Sequence, residues 1–577
     1  MNRWQFPVWA TVKGLMVVAI LSMNGPANAG EIDSDRLLNA DKNPSDWLSY
    51  HGSYKSWHYS ALDQINTRNV KNLQVAWTHM GGRAFRGVES MPLVADGILY
   101  YSGSYNQVWA LDGATGEVLW VYKQKLNEEL VGKQTHSPFN RGIALGYGNV
   151  YMGTLDGKLV AIDMQTGKLN WETKLVQSEK LTVGFTGAPL VVKDKVIIGA
   201  QGGEWPSRGP IFGVDARDGK QLWVFYTVAD DDVAKATWGG DSWMVGGGGG
   251  WMPGSYDPES DTVWWGTANP APQFDYAGSE WMTKGARPGI NLYTDSVIAL
   301  DPDTGVLKFY HQEIPHDTWD YDSAAGELVM IERDGKKLVV HGNKDGHIFV
   351  YDRSNAGIVN VWPLIKNLNF VQSIDPKTGE LIGRHDLDEG KHTNVCPCIL
   401  GGINLNSGSY DPETRLYYRV GNEWCMNVEV VKTNPILEPM AQLYIGANVT
   451  LTNPEGGKAH AHVSARDPVT GEKKWEVIFP EPPLASLLST KGNLLFVPDT
   501  RGYLRAYDVS TGKELWKHND GQAHIGGTIS YMANGKQYIA VTTGWGNRAA
   551  LRYPALFGGP YINMPMDAGS LVVFSLP

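Results

Sequence analysis

One pattern constrains this chain more than any other. An aspartate is followed by Thr-Gly or Asp-Gly and then, always eight residues after the aspartate, by an aromatic side chain. It occurs as Asp112, Thr115-Gly116, Trp120, then Asp163, Thr166-Gly167, Trp171, then Asp215, Asp218-Gly219, Trp223. It returns as Asp301, Thr304-Gly305, Phe309, as Asp467, Thr470-Gly471, Trp475 and as Asp508, Thr511-Gly512, Trp516. Asp375 with Thr378-Gly379 reads as a degraded copy. Each copy has the chemistry of a hairpin: a strand ends at Asp, a tight turn uses glycine at positive φ, and the next strand carries the aromatic. Short Val/Leu/Ile/Ala runs precede each Asp, as strands require. Adjacent copies lie 51, 52 and 41 residues apart (112 to 163, 163 to 215, 467 to 508), the length of a four-stranded propeller blade. Residues 40–577 then hold about eight blades at that repeat length. The expectation is an all-β, eight-bladed propeller in which the recurrent aromatic packs blade on blade. A set of unrelated hairpins is the alternative.

The ends and the charge set the context. Arg3 and Lys13 flank the apolar run Leu15–Leu21, and Ala27-Asn28-Ala29 has the form of a cleavage site. Residues 1–29 therefore read as a secretory signal peptide, with residues 30–577 as one propeller domain. The apolar run is short for a membrane anchor, and no later segment approaches a spanning length. The expected compartment is oxidising, periplasmic or extracellular. Charged residues are 19% and the net charge is -11, with no basic run; that excludes nucleic acid and suits a basic soluble partner. Of the three cysteines, Cys396 and Cys398 stand too close for an easy bridge, so Cys425 pairs with one of them. No C-x-x-C-H motif for covalent haem is present, and the spacing lacks a zinc knuckle.

Two stretches carry chemistry. Trp319-Asp320-Tyr321-Asp322-Ser323 places two carboxylates two residues apart. In an extended segment both would share one face, and like charges persist there only in water or around a cation. An Asx-rich turn is the bland alternative. Gly246–Gly250, just before Trp251, lets backbone approach something closely, or forms a flexible loop.

Longer stretches resemble a known family. They are Gly266-Thr267-Ala268-Asn269-Pro270-Ala271-Pro272, Arg287-Pro288-Gly289 with Asn291-Leu292-Tyr293-Thr294, and Pro315-His316-Asp317-Thr318 running into Trp319–Asp322. The chain resembles the pyrroloquinoline quinone (PQQ)-dependent alcohol dehydrogenases, the methanol and ethanol dehydrogenase group of eight-bladed propellers, from about Asp46 to Val573. The resemblance implies a metal ion beside the quinone, Ca²⁺ or a lanthanide, held by Glu204, Asn269 and Asp320, all hard oxygen donors. Asp320 is also the implied catalytic base. Trp251 is the implied floor under the ring and Arg141 a carboxylate-binding arginine. Glu89 and Thr186 are rim ligands, Gly202-Gly203 the approach to Glu204, and Lys344 and Asn404 neighbours of the quinone oxygens. Gln201 falls where relatives often have Ser. The family disulfide maps to Cys396–Cys425, leaving Cys398 free.

Two departures matter. Many relatives carry adjacent cysteines over the quinone, where this chain has Thr135-His136-Ser137, so the roof must be built otherwise. Calcium-type relatives have Ala, Ser or Thr at position 322, whereas lanthanide-type relatives have Asp, which makes Asp322 a fourth implied metal ligand. The implied reaction is oxidation of an alcohol to an aldehyde or ketone, with hydride passing to PQQ and electrons to a soluble cytochrome c. No membrane span is expected, and a homodimer is one option for assembly. A dehydrogenase for a bulky alcohol and a non-enzymatic propeller scaffold are the rival expectations.

Overall fold

The computed structural model describes residues 31–577 except 82–83, 85–86, 127–137, 177–182, 435, 437–442, 546–551 and 562–566. The signal segment and residues Thr135-His136-Ser137 lie outside the described residues. The fold is all-β: among the described residues the longest helices, Ser34–Leu38 and Tyr553–Phe557, have five residues. None is long and apolar enough to cross a membrane.

Seven four-stranded sheets and one five-stranded sheet make up the body. Most are simple meanders, such as Leu93–Ala95, Ile98–Gly103, Gln107–Asp112 and Val118–Lys123, each paired antiparallel with the next. One sheet is interrupted between Leu416–Glu423 and His460–Arg466. The inserted strands Cys425–Val430 and Ala447–Thr452 join Gly390–Val395 in a separate three-stranded sheet. The Asp375 copy forms only a two-stranded hairpin, Ser373–Ile374 with Leu381–Ile382, the strands on either side of it, Ile358–Pro363 and Gly390–Val395, pairing in other sheets. Another sheet unites distant parts of the sequence: Gln74–Met80 pairs antiparallel with Ser570–Ser575.

Burial follows position within each sheet. Inner strands such as Asn149–Gly153 and Val297–Leu300 are buried throughout and read as continuous apolar runs, because both faces are covered. Outer strands alternate, as in Gln74–Met80, with one face in solvent. The repeated turns explain their own sequence. Asp112 Oδ1 accepts from Ala114 N, Thr115 N and Thr115 Oγ1 at 2.9, 2.8 and 3.0 Å, and Gly116 takes φ +76°. Asp163, Asp301 and Asp508 repeat this arrangement.

The turn glycine has a second reason to be glycine. A Cβ at Gly167 would stand 2.7 Å from the Trp120 indole, one at Gly219 2.6 Å from Trp171, and one at Gly512 2.7 Å from Trp475. The tryptophan of one copy thus lies over the turn of the next. Its indole N–H also reaches across, Trp120 Nε1 to Met164 O at 2.9 Å and Trp475 Nε1 to Val509 O at 2.8 Å. Cys396 and Cys425 form a disulfide, and Cys398 is free and buried.

Candidate active site

The Trp319–Ser323 segment is not extended, contrary to the simple alternation argument. It is a tight, irregular turn in which Asp320 takes φ +71°. The cause is Asp317, whose carboxylate accepts from Trp319 N and Tyr321 N, both at 2.8 Å, and so folds the chain around itself. Arg287, fully buried, donates to the Asp317 carbonyl and, through Nε, to Pro272 O at 2.9 Å. The other end of the turn is fixed by a buried charge network. Ser323 Oγ donates to Glu313 Oε2 at 2.6 Å, and His341 donates from Nδ1 to Glu313 Oε1 and from Nε2 to Ser323 O, both at 2.9 Å. Glu313 raises the His341 pKa against the opposing effect of burial, and His341 with the surrounding donors lowers that of Glu313. These contacts leave Ser323 little freedom.

This turn delivers Asp320 and Asp322 to the wall of one pocket with Lys344, Glu204, Trp251 and Arg141. Lys344 Nζ lies 2.8 Å from Asp320 Oδ2 and 3.3 Å from Asp322 Oδ1. The two acids therefore do share a side, but buried around an ammonium rather than solvated. Trp251 Nε1 donates to Asp322 Oδ2 at 2.8 Å, which fixes the rotation of the indole. Burial drives the Asp320 carboxyl well above its usual range; Lys344 draws it back, while Asp322 and Glu204 push it further up. Burial lowers the Lys344 pKa, but Asp320 and Asp322 outweigh it and leave the value raised.

The glycine run is structural, not slack. A Cβ at Gly249 would meet Gly202 N at 2.6 Å, and one at Gly199 would meet Gly250 O at 2.0 Å. Gly248 N donates to Asn269 O and Ala268 N to Gly249 O. Residues 246–250 thus thread between the segments that carry Glu204 and Asn269, and only glycine fits. Gly203 completes the contact, since a Cβ there would stand 2.0 Å from Asn269 Oδ1.

Arg141 is held by Thr186 Oγ1, 2.9 Å from Nη1, and by Glu89 Oε2, 3.2 Å from Nε. Its guanidinium lies 4.5 Å from the Phe139 ring centroid and 4.9 Å from that of Trp251. Thr186, Gly202, Gln201 and Asn404 line the pocket, whereas Glu89, Gly203 and Asn269 stand off its wall. Asn404 spends its amide locally, donating to Leu400 O at 2.7 Å.

The residues fit a bound cation by their unfilled valences. Asn269 Oδ1 and Asp320 Oδ1 are buried with no hydrogen-bond partner among the described residues. Three carboxylates, Glu204, Asp320 and Asp322, face a single ammonium. No three His, Cys, Asp or Glu side chains among the described residues are already gathered into a metal-holding cluster, because Asp320 and Asp322 close on Lys344. Sequence reasoning missed Asp317, whose Asx-turn role its neighbours advertise. It also missed Glu313–His341, Trp424 and Arg552, which no local motif announces.

The family described as glucose/ethanol/alcohol dehydrogenase with a PQQ β-propeller domain matches residues 47–367 and 477–539. The quinoprotein alcohol dehydrogenase PedH of Pseudomonas putida is 32% identical, over 97% of this chain and 96% of that protein. The lanthanide-dependent methanol dehydrogenase of Methylacidiphilum fumariolicum is 32% identical, over 93% of this chain and 91% of that protein. The solved structure of a europium-containing methanol dehydrogenase superposes with a TM-score of 0.85 at 30% identity, covering 94% of this chain and all of that one. The chain belongs to the PQQ-dependent quinoprotein alcohol dehydrogenase family. It is an enzyme with a β-propeller domain, not a scaffold.

Proposed function

We propose that the mature chain, from residue 30, is a single eight-bladed propeller that works in the periplasm. It oxidises an alcohol to an aldehyde or ketone and passes the electrons to a soluble cytochrome c. The eight larger sheets, with the tryptophan-on-glycine contacts between successive copies, support the blade count. The acidic surface, net charge -11, suits a basic carrier.

The observation that carries the function is the Asp320 carboxylate: buried, held through Oδ2 by Lys344, with no donor to Oδ1 among the described residues. PQQ supplies, when bound, the two-electron acceptor, and one Ca²⁺ or lanthanide ion supplies Lewis acidity. The chain's own groups do the rest. Asp320 Oδ1 takes the hydroxyl proton, the step for which an oriented base contributes about 10²–10⁴-fold. Burial raises the Asp320 pKa even beside Lys344, so a bound metal cation would be what holds it as the carboxylate that accepts the proton. Glu204 and Asn269, whose Oδ1 has no hydrogen-bond partner among the described residues, would hold the metal with Asp320, and Asp322 would add a further oxygen donor. Trp251, fixed by its bond to Asp322, offers a rigid aromatic face to a planar ring, and Arg141 holds a carboxylate at the rim.

The test is reconstitution of metal-free protein with PQQ and either Ca²⁺ or La³⁺, followed by a screen of alcohols with cytochrome c as acceptor. Alcohol-dependent reduction is expected with at least one metal. Bound PQQ with no turnover on any alcohol refutes the proposal.

A further inference from the structure

The pocket carries three cationic side chains with different surroundings. Arg141 is neutralised by Glu89, and Lys344 by Asp320 and Asp322. The third, Arg552, also lines the pocket. It has no carboxylate partner among the described residues, and its Nη1 is buried without any hydrogen-bond partner. Arg552 sits at the N-terminal end of the helix Tyr553–Phe557, and its side chain makes no capping bond there. That helix is anchored where it stands: the Tyr553 ring lies 6.1 Å from Trp424 and 5.6 Å from Trp545, and Tyr553 Oη donates to Pro482 O at 2.8 Å. The neighbouring wall is apolar, formed by Ile399, Leu400, Trp424 and Leu484.

A buried guanidinium N–H that no described residue answers costs desolvation. Such a group fits an anion brought by a ligand, where low dielectric and a two-pronged donor make a carboxylate pair strong. Two ligands can bring one, the cofactor or the substrate. Arg141 already stands over the Trp251 ring with Glu89 as its partner, so we assign the apolar wall and Arg552 to a substrate's own chain.

We propose that Arg552 receives the carboxylate of a substrate, so that this enzyme prefers alcohols bearing a carboxylate, hydroxy acids with an aliphatic spacer, over neutral alcohols of equal length. This rests on the alcohol-oxidising function proposed above. Atoms and electrons balance as in that reaction, because the carboxylate is a handle and takes no part in the chemistry.

The experiment compares 6-hydroxyhexanoate with 1-hexanol on protein loaded with PQQ and metal. It uses steady-state kinetics and, separately, calorimetric binding, in the unmodified protein, Arg552→Met and Arg552→Lys. The expected kcat/KM ratio of hydroxy acid to alcohol is at least tenfold above one. Arg552→Met abolishes the preference while hexanol oxidation and PQQ affinity, read by quenching of tryptophan fluorescence, stay within about twofold. Arg552→Lys keeps part of the preference, which shows that the variants fold. Equal handling of both compounds by the unmodified protein overturns the proposal. So does Arg552→Met weakening PQQ binding, which assigns the guanidinium to the cofactor. If neither compound is oxidised but hydroxyhexanoate still binds tenfold tighter through Arg552, the alcohol-oxidising function fails and the carboxylate site stands.

Discussion

The same residue type does opposite things in two regions of this molecule. In the repeated turns, Asp112, Asp163, Asp301 and Asp508 sit at the surface and have Oδ1 filled by two backbone N–H groups and a threonine hydroxyl. In the pocket, Asp320 is 4% exposed, meets Lys344 through Oδ2, and has no hydrogen-bond donor at Oδ1 among the described residues. The turn aspartates satisfy their hydrogen-bonding capacity within four residues, so they serve only the fold. Asp320 leaves Oδ1 unfilled among the described residues, as the role proposed for it requires. Local completeness marks a structural acid, and enforced incompleteness marks a functional one.

The largest test of that contrast is Asp320→Asn against Asp508→Asn. The first should retain PQQ, followed by its absorbance, and lose about 10²–10⁴-fold in turnover. The second should turn over normally. Near-normal turnover in Asp320→Asn removes the distinction altogether.

His51 provides an intermediate case, buried yet partnered, with Nδ1 3.0 Å from His58 Nε2. Burial lowers its pKa from 6.5 to about 4, Arg419 adding to that and Glu327 opposing it. A depressed histidine stays neutral in the fold while the unfolded chain takes up a proton below 6.5. Its contribution to stability is therefore present above that pH and is lost as pH falls toward 4, by up to about 2 kcal/mol at pH 5. Denaturant midpoints at pH 7.5 and 5 should show a smaller acid loss in His51→Gln than in the unmodified protein. An identical loss in both would place the histidine's proton elsewhere.

Asp322 sharpens the comparison further, because Lys344 and Trp251 engage both of its oxygens although it lines the pocket. If it still adds negative charge to the metal site, a trivalent ion gains more than a divalent one. Reconstituted protein should then be more active with La³⁺ than Ca²⁺. Asp322→Ala should lose about tenfold with La³⁺, a change on the order of 1.4 kcal/mol, while Ca²⁺ activity survives. Equal or better activity with Ca²⁺ in the unmodified protein makes Asp322 a brace for Trp251 alone. The smallest effect is expected at the turns: Asp508→Ala should cost about 1 kcal/mol of unfolding free energy and leave kcat unchanged.

What could be seen in the sequence divides along the same line. The Asp, Gly and Trp of each turn are legible because every partner lies within the copy or in the equivalent place of the next. The family motifs brought out Asp320, Glu204, Asn269 and Trp251. The backbone around Asp320 was not legible, because alternation assumes a strand, whereas the Asp317 carboxylate imposes a turn. Glu313 and His341 are separated by a strand and a loop and meet only after two sheets pack. Arg552 is invisible for the same reason, since nothing near residue 552 shows that Trp424 and Leu484 will be its neighbours.

The pairing of Gln74–Met80 with Ser570–Ser575 has a consequence for the order of events during synthesis. A ribosome must deliver almost five hundred residues between the two strands before either finds its partner. Until then Gln74–Met80 waits as an open edge, exposed to any other strand it meets. A chain halted shortly before residue 570 therefore leaves two sheet edges unpaired, on Gln74–Met80 and on Lys536–Thr543. The arrival of Ser570–Ser575, rather than growth of the middle of the chain, is the step that closes both edges against self-association.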